Sequence, residues 1–305
     1  MDPRDGPRPT TVIESSRLNA RLGERVVLVS ETFQWTGSFK YRAAYHLASR
    51  VPNPRILTAS SGNFGQALAM ACRLRDKGCT VVMPDLSSRV KIDAVREQGA
   101  TVDLIDTRAV SRAERVGHLS AADPEAYVAS PYDDPLVIEG NATLGAEIAA
   151  LPWNFDEVLV PVGGGGLAAG IVTGLEAAGR AVPVVGVEPA LANDAARSLR
   201  AGRIVANETE PATVADGART LSLGRHNWDI LSTRLDGIVE VSEQAIEHAV
   251  ALLFQLANLK AEPTGALALA AIVADPGAFR RQCVCCVVSG GNVDAALYAR
   301  LVTAA

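Results

Sequence analysis

Short blocks of consecutive aliphatic and β-branched residues alternate along this chain with longer stretches whose apolar positions recur every three to four residues. The first pattern predicts buried strands and the second amphipathic helices. RVVLVSE, from about Val26 to Glu31, reads as a strand, and YRAAYHLASR as a helix that starts near Lys40. RILTAS (Arg55 to Ser60), CTVVMPD and ATVDLID are further strands. Between them lie helices over GQALAMACRLRDK, which Gly78 is expected to end, and over SSRVKIDAVREQG. A charged helix from Ser111 to Ala121 precedes YVASPYDDP. There follow the helix ATLGAEIAAL, the strand Glu157 to Val162, a helix from Leu167, the strand VPVVGVEP and the helix DAARSLRAG. After an irregular stretch from Asn207 to Asn227 come the strand GIVEVS, a long helix capped by Ser242, a helix over AEPTGALALAAIVA, the strand CVCCVVS and a closing helix in GGNVDAALYARLV.

The alternation never changes to hairpins, so the expected class is α/β, with two doubly wound parallel-sheet lobes and a site in the cleft near the carboxyl ends of the strands. ASPYDDP, rich in proline and aspartate, marks a crossing between lobes. Residues 55–133 are read as a small domain, and 1–54 with 134–305 as a large one.

Composition narrows the picture without redirecting it. Aromatics make up 5% of the 305 residues, as suits parallel strands covered by helices on both faces. A net charge of −5 with no basic stripe argues against nucleic acid or an anionic membrane as partner, and points to a small-molecule substrate. No apolar run reaches the ~18 residues of a membrane span, and MDPRDGPRPTTV has no apolar core of a leader. It reads as a frayed tail on a cytoplasmic protein. Cys72, Cys79, Cys283, Cys285 and Cys286 show no CxxC spacing and read as free, mostly buried thiols. His46, His118, His226 and His248 are scattered, which argues against a histidine-built metal site.

Candidate chemistry lies in four loops that follow strands. Gly163, Gly164, Gly165 and Gly166 stand between a strand and a helix, where bare backbone N–H groups and a helix N-terminus form a cradle for phosphate. A dinucleotide site is one reading, since Gly164, Gly166 and Ala169 satisfy GxGxxG/A and Glu188 ends the next strand. That reading leaves unexplained TGSFK (Thr36 to Lys40), SSGNF (Ser60 to Phe64) and SGGN (Ser289 to Asn292). Together the four loops carry glycines, small hydroxyls, two asparagines and one lysine. This set suits a flat, phosphorylated aldehyde, with the lysine as the amine that captures it.

The ordered series TGSFKxR, SSGNxGQA, VPVGGGGL, GVEP, ADG, EPTGA and SGGN, from about Glu31 to Asp294, resembles the fold-type II pyridoxal-phosphate enzymes, in the branch of serine/threonine dehydratases and serine racemase. The resemblance implies that Lys40 holds the aldehyde of pyridoxal 5'-phosphate and that Phe39 packs beside the ring. It gives Asn63 to the phenolic oxygen, Gly163 to Gly166 with the Leu167 backbone to the phosphate, and Ser289 to the pyridine nitrogen. Ser60, Ser61, Gly62 and Asn63 match the holders of the substrate carboxylate. The implied activity is a lyase reaction, elimination of water from a β-hydroxy amino acid (serine, threonine or a larger analogue) to give a 2-oxo acid and ammonia. Lys40 would act as the base, and Ser61 matches the residue that lets relatives racemise. Racemisation and β-replacement remain alternative reactions on the same frame.

The resemblance further implies a homodimer and, at Glu188, Ala192 and Asp194, a site for Mg²⁺, Mn²⁺ or Ca²⁺ with two carboxylates and a carbonyl. The competing reading of that pair is helix capping. Three positions depart from the family pattern: Phe64 where histidine is usual, Ala43 for a glycine, and Glu139 before GNATLG. Phe64 either selects a larger substrate or packs under its helix. Arg219 and Thr220 either reach the substrate or lie in an exposed loop. No regulatory module of the biosynthetic threonine dehydratase kind is expected after SGGN.

Overall fold

The computed structural model of the protein describes residues 6–60, 62–87, 89–279 and 283–303. In chain order the elements are β1 (Thr11–Ile13), α1 (Ser16–Leu22), β2 (Arg25–Ser30), α2 (Lys40–Arg50), β3 (Arg55–Ala59), α3 (Asn63–Leu74), β4 (Gly78–Pro84), α4 (Arg89–Glu97), β5 (Thr101–Ile105), α5 (Arg112–Ala122) and β6 (Ala126–Ala129). They continue with α6 (Pro135–Ala149), β7 (Glu157–Pro161), α7 (Gly166–Ala177), β8 (Val184–Pro189), α8 (Asp194–Ala201), α9 (Arg225–Arg234), β9 (Gly237–Val241), α10 (Glu243–Ala257), α11 (Leu267–Ala274), β10 (Cys283–Val288) and α12 (Ala295–Thr303).

Two sheets result, one ordered β1-β2-β10-β7-β8-β9 and the other β5-β4-β3-β6. The last strand in sequence is thus inserted between β2 and β7. Every pairing among the described strands is parallel except that of β1 with β2. Helices cover both faces of the larger sheet, which is why its central strands β2, β10, β7 and β8 are mostly apolar, while the edge strands β1 and β9 are only half-buried. Successive residues of β10 show this directly. Cys286 joins Val26, Leu28, Val250 and Leu267 on one face, while Cys285 joins Val27, Val29, Leu144 and Ile171 on the other. In the smaller sheet Ile56, Val81 and Met83 pack against Leu68 of α3, and Tyr41, Ala44 and Leu47 of α2 enter the same core.

Several expectations from the sequence needed correction. The helix over GQALAMACRL ends at Leu74, and Gly78 opens β4 instead of ending the helix. Asp76, with φ 53°, has already turned the chain. α6 starts at Pro135, well before ATLGAEIAAL, because Asp134 caps it by accepting from the Leu136 N–H and Pro135 suits a first helical turn. The N-terminal stretch is tied down where it is described. β1 pairs with β2, Trp35 Nε1 donates to the Gly6 carbonyl at 3.0 Å, and the Arg8 guanidinium lies over the Trp35 ring. Residues 1–5 lie outside the described residues. The antiparallel β1·β2 pair is the exception to an all-parallel plan. Ser242 caps α10 as expected, accepting from the Ala245 N–H.

Among the described residues no helix is long and apolar enough to cross a membrane. The five cysteines are free thiols, four of them buried, with Cys283 at the strand edge half-buried.

Candidate active site

Strand order builds the site. β2, β10 and β7 are neighbours, so the loops at their carboxyl ends lie side by side. The loop after β2 is stitched to the loop after β10 by Phe39 N–H to the Ser289 carbonyl (2.9 Å), Gly291 N–H to the Gly37 carbonyl (2.9 Å) and a bridge between Ser38 and Gly290. The loop after β3 meets them from the other sheet. Together they line a cavity of about 770 Å³ whose walls include Phe39, Lys40, Ser60, Gly62, Asn63, Phe64, Gly163 to Leu167, Thr220, Glu262 and Ser289. The loops singled out in the sequence are therefore brought together. Ser61 lies outside the described residues.

Lys40 is the first residue of α2, and its Nζ donates to the Pro131 carbonyl at 2.5 Å. The amine lies 5.0 Å from the Phe39 ring centroid and 5.7 Å from that of Phe64. Burial pulls its pKa down to about 8, against an opposing pull from Glu262, so a useful fraction is free amine at neutral pH. Phe64, 1% exposed, belongs to the core of the smaller sheet while its ring faces the cavity. Most of that side chain is packing under α3, which favours the second of its two readings.

The tetraglycine loop is as constrained as it is open. Gly165 has φ +92°, a left-handed conformation, and a Cβ on Gly164 would run into the ring of Tyr132. Tyr132 thus roofs the loop, a part that the sequence reading of ASPYDDP as a mere crossing did not anticipate. The Gly164 carbonyl is held by Asn227 Nδ2 (2.6 Å) and by the Gly224 N–H (3.0 Å). This turns the peptide so that the first-turn N–H groups of α7, which have no partner within the helix, remain for an anion. Ser289 Oγ is buried and has no hydrogen-bond partner. A buried orphan hydroxyl at the floor of a cavity is a group awaiting a ligand.

The other residues expected to bind divide into those free for a ligand and those committed to the protein. Ser60 Oγ accepts from the Gly65 N–H at 3.0 Å and the Gly62 N–H at 3.4 Å, which caps the start of α3 and leaves only its own hydroxyl proton. Thr220 lines the cavity with its Oγ1 buried and unpaired. The Arg219 guanidinium is taken up by the Thr213 carbonyl at 2.6 and 2.8 Å. Glu139 pairs with His46 at 3.0 Å on the outside of α6.

Glu188, next to last in β8, accepts from the Ala195 and Ala196 N–H groups at 3.2 and 2.7 Å, so the capping reading is realised. Burial pushes its pKa up to about 8 and that of Asp194 to about 6. Asp194 Oδ2 is nevertheless buried without a partner. No cluster of three or more His, Cys, Asp or Glu suited to a metal occurs among the described residues.

Two further polar side chains in the cavity wall had been seen only as letters of motifs, Glu262 in EPTGA and Asn292 in SGGN. Asn63 Nδ2 donates to Glu262 Oε1 at 2.8 Å, and Asn292 Nδ2 donates to Asn63 Oδ1 at 2.9 Å. Two ion pairs also close across the mouth of the cavity, Lys91 with Asp216 at 2.6 Å and Arg112 with Glu210 at 3.4 Å.

Comparison with known proteins agrees with this geometry. Residues 3–290 match the family described as pyridoxal-phosphate dependent enzyme. The chain is 36% identical to L-threo-3-hydroxyaspartate ammonia-lyase of Pseudomonas sp, across 96% of this chain and 92% of that protein. It is 35% identical to serine racemase of Mus musculus, across 93% and 86%. The crystal structure of T.th. threonine deaminase superposes with a TM-score of 0.89 at 42% identity, covering 94% of each chain.

Proposed function

The chain belongs to the pyridoxal-phosphate-dependent enzymes, and from that premise we propose that it is a lyase that dehydrates a β-hydroxy amino acid, releasing a 2-oxo acid and ammonia. The observation that carries the reading is the amine of Lys40, with its lowered pKa, in one cavity with the glycine loop and the unpaired Ser289 hydroxyl. These residues fit the cofactor. The N–H groups of Gly163 to Leu167 suit its phosphate, the orphan Ser289 Oγ its ring nitrogen, Asn63 its ring oxygen, and Lys40 its aldehyde. When bound, the cofactor supplies that aldehyde to the substrate amine and a ring that draws off the electrons of the breaking Cα–H bond.

The chain's own residues do the rest. Lys40 Nζ, unprotonated in part at neutral pH, takes the Cα proton and can return it. The N-terminal turn of α3, behind Gly62 and Asn63, attracts the substrate carboxylate through its free N–H groups. Phe39 and Phe64 keep water from the amine. Ser289 brings a neutral hydroxyl where a carboxylate would hold a proton on the ring, so charge does not linger on the substrate and prompt loss of the β-hydroxyl is favoured. Asp194, through its unpaired Oδ2, with Glu188 and the Ala192 carbonyl, offers oxygen ligands to one divalent cation. Residues 55–133 are taken as the small lobe, because all four strands of the second sheet fall within them, with α2 reaching into its core.

Purified enzyme loaded with pyridoxal phosphate is expected to release 2-oxo acid and ammonia from at least one of L-serine, L-threonine, 3-hydroxyaspartate or 3-phenylserine. Lys40→Ala should abolish both that release and borohydride-trappable cofactor. Normal release by the alanine variant would sink the assignment.

A further inference from the structure

The reaction above leaves Glu262 and Asn292 without a part, yet both contact Asn63. Asn292 Nδ2 donates to the Thr36 carbonyl (2.7 Å) as well as to Asn63 Oδ1 (2.9 Å). A peptide carbonyl only accepts, so Asn292 must turn its NH₂ toward Thr36. The second hydrogen of that NH₂ then requires an oxygen on Asn63. The NH₂ of Asn63 is thereby directed the other way, where one of its hydrogens goes to Glu262 Oε1 at 2.8 Å. Its second hydrogen remains for the cavity that Asn63 shares with Lys40.

Glu262 is a built part of this chain of bonds. It is 4% exposed, and its N–H is held by the Gly290 carbonyl at 3.0 Å. Its carboxyl packs against Gly290, where a Cβ would lie 2.6 Å from Oε1. The charged groups facing it are Lys40 on α2, Lys91 on α4 and Asp216 in the 3₁₀ turn Asp216–Ala218. Burial, with Asp216 adding to it, pushes its pKa up to about 8, so near neutrality it is mostly an uncharged acceptor.

We infer that Glu262 and Asn292 are positioning residues that fix which way the Asn63 amide faces, so that it offers N–H, and not C=O, to the oxygen of the group bound beside Lys40. The inference rests on the pyridoxal-phosphate reading, whose ring oxygen is the acceptor in question. It makes an unusual ordering of variants. Asn292→Ala removes the constraint on Asn63. The nearly isosteric Asn292→Asp inverts it, because a carboxylate there attracts the Asn63 NH₂ and turns its carbonyl to the cofactor. Glu262→Gln keeps an acceptor for Asn63, whereas Glu262→Ala does not.

The test measures the pyridoxal phosphate dissociation constant and absorption band of each variant, kcat and KM with the best substrate, and the melting temperature of the apoprotein. Losing a hydrogen bond to a charged oxygen should weaken cofactor binding about ten- to a hundredfold. Asn292→Asp should be weakest, Asn292→Ala and Glu262→Ala intermediate, and Glu262→Gln within about threefold of the parent. The band should move in the same order, and kcat should fall with KM little changed, because the contact is to the cofactor.

Asn292→Asp binding as tightly as Asn292→Ala would overturn the inference while leaving the function intact. So would Glu262→Gln falling as far as Glu262→Ala, a comparison that decides the matter even where Asn292→Asp fails to fold. A parent apoprotein that takes up no pyridoxal phosphate would defeat the functional reading instead.

Discussion

Arg42, two residues beyond Lys40 on α2, is the largest fully buried side chain among the described residues and sits in a charge cluster that ties this helix to the rest of the molecule. Its guanidinium donates to Glu31 Oε2 (2.6 Å) and Oε1 (3.0 Å), to Glu147 Oε1 (2.6 Å), to Thr143 Oγ1 (3.1 Å) and to the Arg8 carbonyl (3.2 Å). Glu31 has a side chain with no exposure and follows β2, whereas Glu147 on α6 is one-third exposed. Arg42→Met would leave Glu31 buried with its partner gone, while Glu147 can turn to solvent. Removing one partner of a buried pair costs about 3–5 kcal/mol, most of it the penalty on the stranded charge. With about 2.1 cal/mol/K of unfolding entropy per residue over 305 residues, the apoprotein should melt about 5–8 °C lower.

Replacing both partners removes the stranded charge, so the double variant with Glu31→Leu should recover most of that loss. The assay is thermal unfolding of the apoprotein followed by circular dichroism, with cofactor affinity as a second readout because α2 carries Lys40 at its start. A single variant that melts within about 1.5 °C of the parent, or a double variant no more stable than the single, would refute the reasoning.

Two further expectations concern pH and metal. Free amine at Lys40 rises about tenfold per pH unit up to its pKa, so the rate at which apoprotein takes up pyridoxal phosphate should climb to pH about 8 and level off above it. A rate still climbing at pH 10 would return Lys40 to the ordinary lysine range. Exhaustive chelation should lower turnover and melting temperature in the parent, and Asp194→Ala should remove the response to chelator. Unchanged turnover in the chelated parent counts against a cation at Asp194.

Much of the architecture was legible along the chain, because strand and helix leave their own periods in nearby residues. CVCCVV is apolar at every position, and Cys285 and Cys286 do face opposite covered sides of one sheet. The glycines after β7 and the lysine after β2 were readable for a similar reason, since bare backbone and a lone amine are unusual where they stand. Helix ends were less so. Asp134 and Pro135 start α6 by capping chemistry that an apolar period does not register, and Gly78 lies where the next strand begins.

What the sequence by itself determined, then, is the order of elements and the kinds of group each loop brings. Only the tertiary structure decided that β10 lies between β2 and β7, that Tyr132 roofs the glycines, and that Asn292, Asn63 and Glu262 form one line of hydrogen bonds. The physical reason is range. Backbone preference and burial period are set by residues a few positions apart, whereas these contacts join segments far apart in sequence and arise from packing, which leaves no repeat to read.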